Sequence, residues 1–279
     1  MSRFLNVIGF STLLALSITA TAHGQVAPSG ARDAPRDFCP DRPGKGSPPC
    51  VLDVGRFQAE LGLADAAYSR GGGTSTDDTA FGALELRLGL TPTVEGQLSW
   101  TAHERVRVKD RATGAVSTVD GAGDLGLALR WSLRNPGGDG FSVALQPFVT
   151  APTGSDGISG GKWQGGVIAP MSVPLNGDWS LALSPELDLR PDADGAGRHA
   201  GFSNAIGVGR SIGPVSLGVE LWADIDDDPA GRVTSASFDL TAGWTPASVP
   251  DLQLDASAYL GLNRDTPDLE LVVGVAKRF

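Results

Sequence analysis

Two histidines beyond the N-terminal segment, His103 and His199, are the residues that could do acid–base chemistry. A hydrolase would need one of them to activate a nucleophile, and Ser184 and Ser203 stand in no nucleophile motif. The sequence therefore predicts no catalytic residue, with both histidines at a rim. Asp192-x-Asp194-Gly195 and Asp224-x-Asp226-Asp227-Asp228 carry the hard oxygens that calcium takes. Neither belongs to a twelve-residue loop closed by a glutamate, so both read as solvated outer loops, the alternative being a weak divalent site bridging lipopolysaccharide. Gly121-x-Gly123 leads into a strand rather than a helix and is no phosphate loop. No metal and no cofactor is expected. Cys39 and Cys50 are the two cysteines. Two thiols without a nearby histidine make a poor zinc site, and Arg36-Asp37-Phe38 is no lipidation signal, which leaves a disulfide. Closing that ring would remove about 3 kcal/mol of chain entropy.

The more informative charges alternate with apolar residues. Glu60, Glu85, Arg87, Glu95, Asp124, Arg130, Glu186, Asp188, Arg190, Glu220, Asp239, Asp255 and Arg278 each stand opposite a greasy neighbour. If these segments cross a bilayer, an enclosed lumen is the sensible place for ionised groups. They either pair into a network that fills the interior or line a narrow, wet, mildly cation-preferring pore, and the pore is the favoured reading. An apolar route would need inward apolar groups, of which only Phe148, Trp222, Tyr259 and Val272 stand out.

The elements that must position these residues are strands. The chain ends Leu271-Val272-Val273-Gly274-Val275-Ala276-Lys277-Arg278-Phe279, a period-two pattern with a terminal aromatic. An apolar last strand would be an exposed edge unless it closes on the first. Similar alternation predicts strands over 55–68, 79–90, 93–103, 123–133, 140–150, 163–175, 179–190, 199–210, 214–224, 233–245 and 252–262. With the closing strand the count is about twelve. The predicted fold is thus all-β: a transmembrane antiparallel up-and-down β-barrel over 55–279. Long links alternate with short turns such as Thr91-Pro92 and Asn176-Gly177, and 104–122 reads as the longest polar link. Phe57, Trp131, Phe141, Trp179, Trp244 and Phe279 fall on the apolar side near one end, as a periplasmic aromatic girdle. A soluble sandwich has no reason to level its aromatics in this way.

Residues 1–24 read as a secretory signal: Arg3, an apolar run over 4–20, then Ala20-Thr21-Ala22 or Ala22-His23-Gly24 as the cleavage site. The formal charge of −10 becomes 21 − 32 = −11 without it, which argues against nucleic acid as a partner. Residues 25–54 contain Pro28, Pro35, Pro40, Pro43, Pro48 and Pro49 and read as an extended periplasmic leader, clasped by Cys39–Cys50 and able to plug the pore.

From Phe38-Cys39-Pro40-Asp41-Arg42-Pro43 onward the chain resembles a known family. Pro48-Pro49, Gly55-x-Phe57-Gln58-x-Glu60, Arg87-Leu88-Gly89-Leu90 with Val94-Glu95, Gly123-Asp124-Leu125 and Ala151-Pro152-Thr153-Gly154 follow in order. Gly261-Leu262-Asn263 with Thr266-Pro267-Asp268 completes the set. This ordered set is similar to the family named for the meta-pathway of phenol degradation. The resemblance implies an outer-membrane barrel that passes aromatic or other small compounds. The expected partners are outer-membrane lipid and lipopolysaccharide, a small-molecule solute and the barrel-assembly machinery. The competing expectation is a structural or adhesive barrel with a closed lumen, acting through its loops.

Overall fold

Among the described residues, period-two alternation yields fourteen strand segments. They are β1 (Phe57–Gly71), β2 (Thr74–Thr91), β3 (Val94–Asp110), β4 (Val116–Gly121), β5 (Leu125–Arg134), β6 (Ser142–Ala151) and β7 (Gln164–Ile168), followed by β8 (Met171–Pro174), β9 (Trp179–Pro191), β10 (Arg198–Ile212), β11 (Val215–Asp226), β12 (Val233–Trp244), β13 (Leu252–Gly261) and β14 (Leu269–Arg278). This is a computed structural model that describes residues 34–279. The expected signal over 1–24 and the first part of the leader, 25–33, lie outside the described residues.

Every paired neighbour is antiparallel, and the sheet closes where β14 pairs β1 from Gln58↔Arg278 to Tyr68↔Leu269. The Phe279 amide donates to the Phe57 carbonyl at 2.8 Å, so the last residue completes the seam. β4 and β5 both pair with β3 and form one stave, and β7 and β8 both lie between β6 and β9 and form another. Fourteen segments less these two interruptions give a closed barrel of twelve staves. Closure satisfies the backbone of every stave without leaving an edge in lipid.

Three local features differ from the expected pattern. The polar link over 104–122 is instead a hairpin, with β3 and β4 paired from Glu104↔Gly121 to Lys109↔Val116. Its turn is held by Asp110 Oδ1, which accepts from the Ala112 and Thr113 amides at 2.9 and 2.8 Å. The strand expected over 163–175 is cut at Ala169-Pro170, because Pro170 has no N–H for the ladder. The Pro170 carbonyl still accepts from Ala144, and the Ala169 amide donates to Pro185, so the wall stays continuous. Finally, the β1–β14 register skips between Gly62 and Ala64, so that Leu63 and Ala64 both turn outward and Asp65 turns in, opposite Val272. On β2 the kink falls at Gly82, whose φ of 68° suits glycine.

The outside is apolar: Leu63, Leu127, Leu187, Leu221, Leu240 and Val273 are all exposed. A closed barrel with a greasy exterior is a membrane barrel, and single-chain barrels of this kind belong to the outer membrane. Phe57, Trp131, Phe141, Trp179, Trp244 and Phe279 are exposed at the end that carries both Phe57 and Phe279, here the terminal end. The Phe57 and Phe279 ring centroids lie 5.9 Å apart across the seam. Lys277, Arg134 and Arg210 lay their cations over Phe279, Phe141 and Trp179, the arrangement of long basic side chains reaching for a membrane–water level.

From Pro35 to Val54 the leader belongs to one compact unit with the barrel and lies against the buried inward residues of the wall.

Leu240 is 44% exposed near the middle of β12. Leu240→Arg is expected to destabilise the barrel by about 2–4 kcal/mol, the cost of a basic group in hydrocarbon, measured by fluorescence-monitored denaturation in vesicles.

Candidate functional site: the lumen and its leader

Five prolines across 35–54 keep the leader from pairing its own backbone, so the wall must do it. Glu60 accepts from the Asp41 and Arg42 amides at 2.9 and 3.0 Å, Glu220 from Lys45 at 2.9 Å and Glu95 from Leu52 at 2.8 Å. In return Arg87 donates to the Cys39 carbonyl at 2.8 Å, Tyr259 to Pro43 at 2.7 Å and Ser184 to Ser47 at 2.8 Å. The leader enters at the terminal end, where Arg278 donates to the Arg36 carbonyl, and leaves at the same end, where the Gly55 amide donates to Gly89. It is therefore a re-entrant loop, closed across its neck by the Cys39–Cys50 disulfide.

Glycines in the wall make room for it. A Cβ on Gly89 would collide with the Asp53 carbonyl, and one on Gly274 with the Arg42 guanidinium.

The central contact is a buried charge network. Arg87 takes Glu95 through two nitrogens at 2.9 and 3.1 Å, reaches Glu60 at 3.2 Å and pairs with Asp41 of the leader at 2.6 Å. Arg130 grips both carboxylate oxygens of Asp41, reaches Glu95 at 3.2 Å and donates to Gln146 at 2.6 Å. The side chains of Arg87, Arg130 and Glu95 have no exposed surface, so each charge depends on its partners. Two more leader cations find wall acids: Arg42 meets Asp255 at 3.0 Å, and Lys45 meets Glu270 at 3.1 Å.

The remaining expected lumen residues divide by height. Arg190 joins Asp188 and Asp224, both at 2.6 Å, toward the loop end. Arg278 pairs with Asp251 at the terminal end. Glu85, Glu186 and Asp124 border open space. A cavity of about 400 Å³ between leader and wall is lined by Asp41, Lys45, Glu85, Gln97, Phe148 and Glu186. A second of about 240 Å³ adjoins Arg42, Glu60, Glu85 and Asp124. Asp239 is fully buried, and among the described residues neither of its oxygens has a hydrogen-bond partner of good geometry.

His103 is exposed on the outer face opposite Phe81. His199 is enclosed by acids: Asp192 lies 2.9 Å from Nδ1, Asp226 2.5 Å from Nε2 and Asp228 3.6 Å from Nδ1. The two acidic runs thus meet at one rim. The Ala230 and Ala193 amides, each at 2.7 Å, hold the Asp228 carboxyl below the usual carboxylate range.

Sequence reasoning missed Asp41, Arg42 and Lys45 of the leader and Asp65, Asp78 and Glu270 of the wall. Glu270 stands opposite Tyr259 and Ala67, and Ala67 stands opposite Asp78. Three cations within ten residues of a proline-spaced segment, beside an acid-rich interior, were the available signal.

Known proteins place this architecture. The family profile described as "Putative MetA-pathway of phenol degradation" matches residues 40–279. The chain belongs to that family. The COG4313 outer membrane channel from Pseudomonas putida F1 is similar over 85% of this chain and 99% of its own, with a TM-score of 0.65 and 18% identity. The translocator domain of the autotransporter NalP from Neisseria meningitidis aligns with 81% of this chain and 89% of its own, with a TM-score of 0.52 and 14% identity. The β domain of the Bordetella autotransporter BrkA aligns with 81% of this chain and 100% of its own, with a TM-score of 0.50 and 15% identity. These likenesses concern the barrel fold. No curated protein matches the sequence at a significant level.

Arg130→Ala leaves Asp41 and Glu95 buried with one partner fewer, and a loss of about 3–5 kcal/mol is expected. Arg107 pairs with Asp77 at 3.1 Å with both side chains partly exposed, and Arg107→Ala should cost no more than about 1 kcal/mol. Parallel urea unfolding of the two variants in detergent checks the contrast.

Proposed function

We propose that the protein is a passive outer-membrane channel for small molecules, of which the leader is the plug. The observation that carries this reading is the kind of contact the plug makes. It meets the wall through ion pairs and hydrogen bonds beside water-sized space, and its two ends exit on the same side. Such contacts exchange with water and ions, and a re-entrant loop can withdraw without threading. The cavity-lining carboxylates Glu85 and Glu186 favour cations over anions in the open state. Family membership supports a transport role, with small aromatic compounds among the solutes it suggests.

A structural barrel with a permanently closed lumen is the second reading. The fully buried Arg87–Glu95–Arg130 cluster favours it, since breaking such a network is costly.

Planar-bilayer recording separates the two. Deletion of 35–54 is expected to raise single-channel conductance several-fold over the full mature chain, with a reversal potential shifted toward cation selectivity. Asp41→Asn, which keeps the leader but weakens its hold on Arg130, should give brief openings of the same size. Refolded protein that stays silent with and without the leader would establish the closed barrel instead.

A further inference from the structure

Lys45 stands at the tip of the leader between Gly44 and Gly46. Its ammonium lies 4.2 Å from the ring centroid of Tyr259, 4.9 Å from that of Trp222 and 3.1 Å from Glu270 Oε2. Two aromatic faces and a carboxylate around one ammonium form the arrangement that recognises organic cations. The geometry points to a binding site for small organic ammonium ions in this part of the lumen wall, one that the leader's own lysine fills in the plugged state.

The wall is built for more positive charge than Lys45 supplies. Glu220 pairs with Asp239, Asp239 with Tyr259 and Tyr259 with Glu270 in the registers of β11 to β14, so the four side chains stand abreast on one face. Trp222 follows Glu220 by two residues and shares that face. Of the three acids, Glu270 meets the ammonium and Glu220 takes the Lys45 backbone amide. Asp239 meets neither: it has no exposed surface, and among the described residues its oxygens have the Ser237 hydroxyl beside them but no cation in direct contact. A buried carboxylate without a cation is costly, and a cation that reaches it recovers that cost.

The tip is shaped for insertion. A Cβ on Gly44 would meet the Glu220 carboxylate, so the glycine lets the tip sit against that acid without displacing it. Lys45 thus holds the place of a ligand whose own ammonium would compete with it. A neutral solute of the same size would gain neither the quadrupole attraction nor the carboxylates, and an anion would be repelled.

This inference deepens the channel reading by naming a solute class, but its test needs no conduction. Isothermal titration of the refolded, detergent-solubilised mature chain with tetramethylammonium chloride at low salt reads the site directly. Lys45→Ala should bind the ion about tenfold more tightly than the wild type, because the internal competitor is gone. Adding Trp222→Leu to Lys45→Ala should lose that gain, and tert-butanol, a neutral isostere, should not bind. If Lys45→Ala folds poorly by heat-shifted gel mobility, Lys45→Met keeps the stem, loses the charge and takes its place. A folded charge-removed variant that binds tetramethylammonium no better than the wild type, or binds tert-butanol equally well, overturns the inference. Conductance in bilayers together with that result removes the ammonium site and leaves the channel standing. Ammonium binding by a protein that never conducts supports the site and removes transport.

Discussion

Hydrocarbon offers no hydrogen bonds, and this constraint shapes the whole chain. Every backbone N–H and C=O at membrane depth must find a partner inside the protein. Twelve staves can meet that demand only by closing, which is why Phe279 must reach Phe57. Where a stave is interrupted, local partners take over. Pro185 and Ala144 serve Ala169-Pro170, and the Gly123 amide donates to Thr101 at the break between β4 and β5. Closure then sorts the side chains, because each strand has one face toward lipid and one toward an enclosed space. Leucines can point outward at little cost, and Glu95, Arg87 and Arg130 can be ionised only because the other face exists.

An enclosed face crowded with acids creates a second requirement. The wall contributes Arg87, Arg130 and Arg190 to the interior, against Glu60, Glu85, Glu95, Glu186, Asp188, Glu220, Asp239, Asp255 and Glu270. The leader narrows that imbalance by one charge, Arg42 and Lys45 against its own Asp41, and offers backbone amides to Glu60, Glu95 and Glu220. A proline-rich segment is well suited to this, since its remaining amides are not committed to helix or sheet. The polarity of the lumen and the extended character of the leader answer the same electrostatic need.

Much of this was legible from residue order, and the exceptions have physical causes. The seam and the walls from β11 to β14 could be read because apolar and charged residues alternate there without interruption. The switch at Leu63-Ala64 could not, because a bulge between small and apolar residues leaves no compositional mark, and the inward turn of Asp65 was lost with it. The β3–β4 hairpin was concealed differently. It carries Arg105, Arg107 and Lys109 on one face, and an arm that lipid does not touch has no need of the apolar pattern that reveals a spanning strand. The Cys39–Cys50 pairing followed from cysteine count and compartment alone. The leader could be read as able to plug the pore, but the wall residues that seat it could not, because proline fixes backbone shape and says nothing about which surface that shape meets.

The leader is not held uniformly, and the gradient along it bears on how a plug can also be a gate. Its returning arm is packed: Cys50, Val51 and Leu52 are almost fully buried, and the Val51 amide donates to Pro136 at 2.9 Å. Its tip is held by charge, through Arg42 on Asp255 and Lys45 on Glu270, with cavities of about 400 and 240 Å³ alongside. Apolar burial is lost when water enters, whereas a partly exposed pair such as Lys45–Glu270 can trade one partner for another at little net cost. Any opening motion should therefore begin at Lys45 and pivot near Cys50–Leu52, with the disulfide keeping the moving part short. The Arg87–Glu95–Arg130 cluster lies between these regions and grips Asp41, so that one carboxylate links the anchored base to the exchangeable tip.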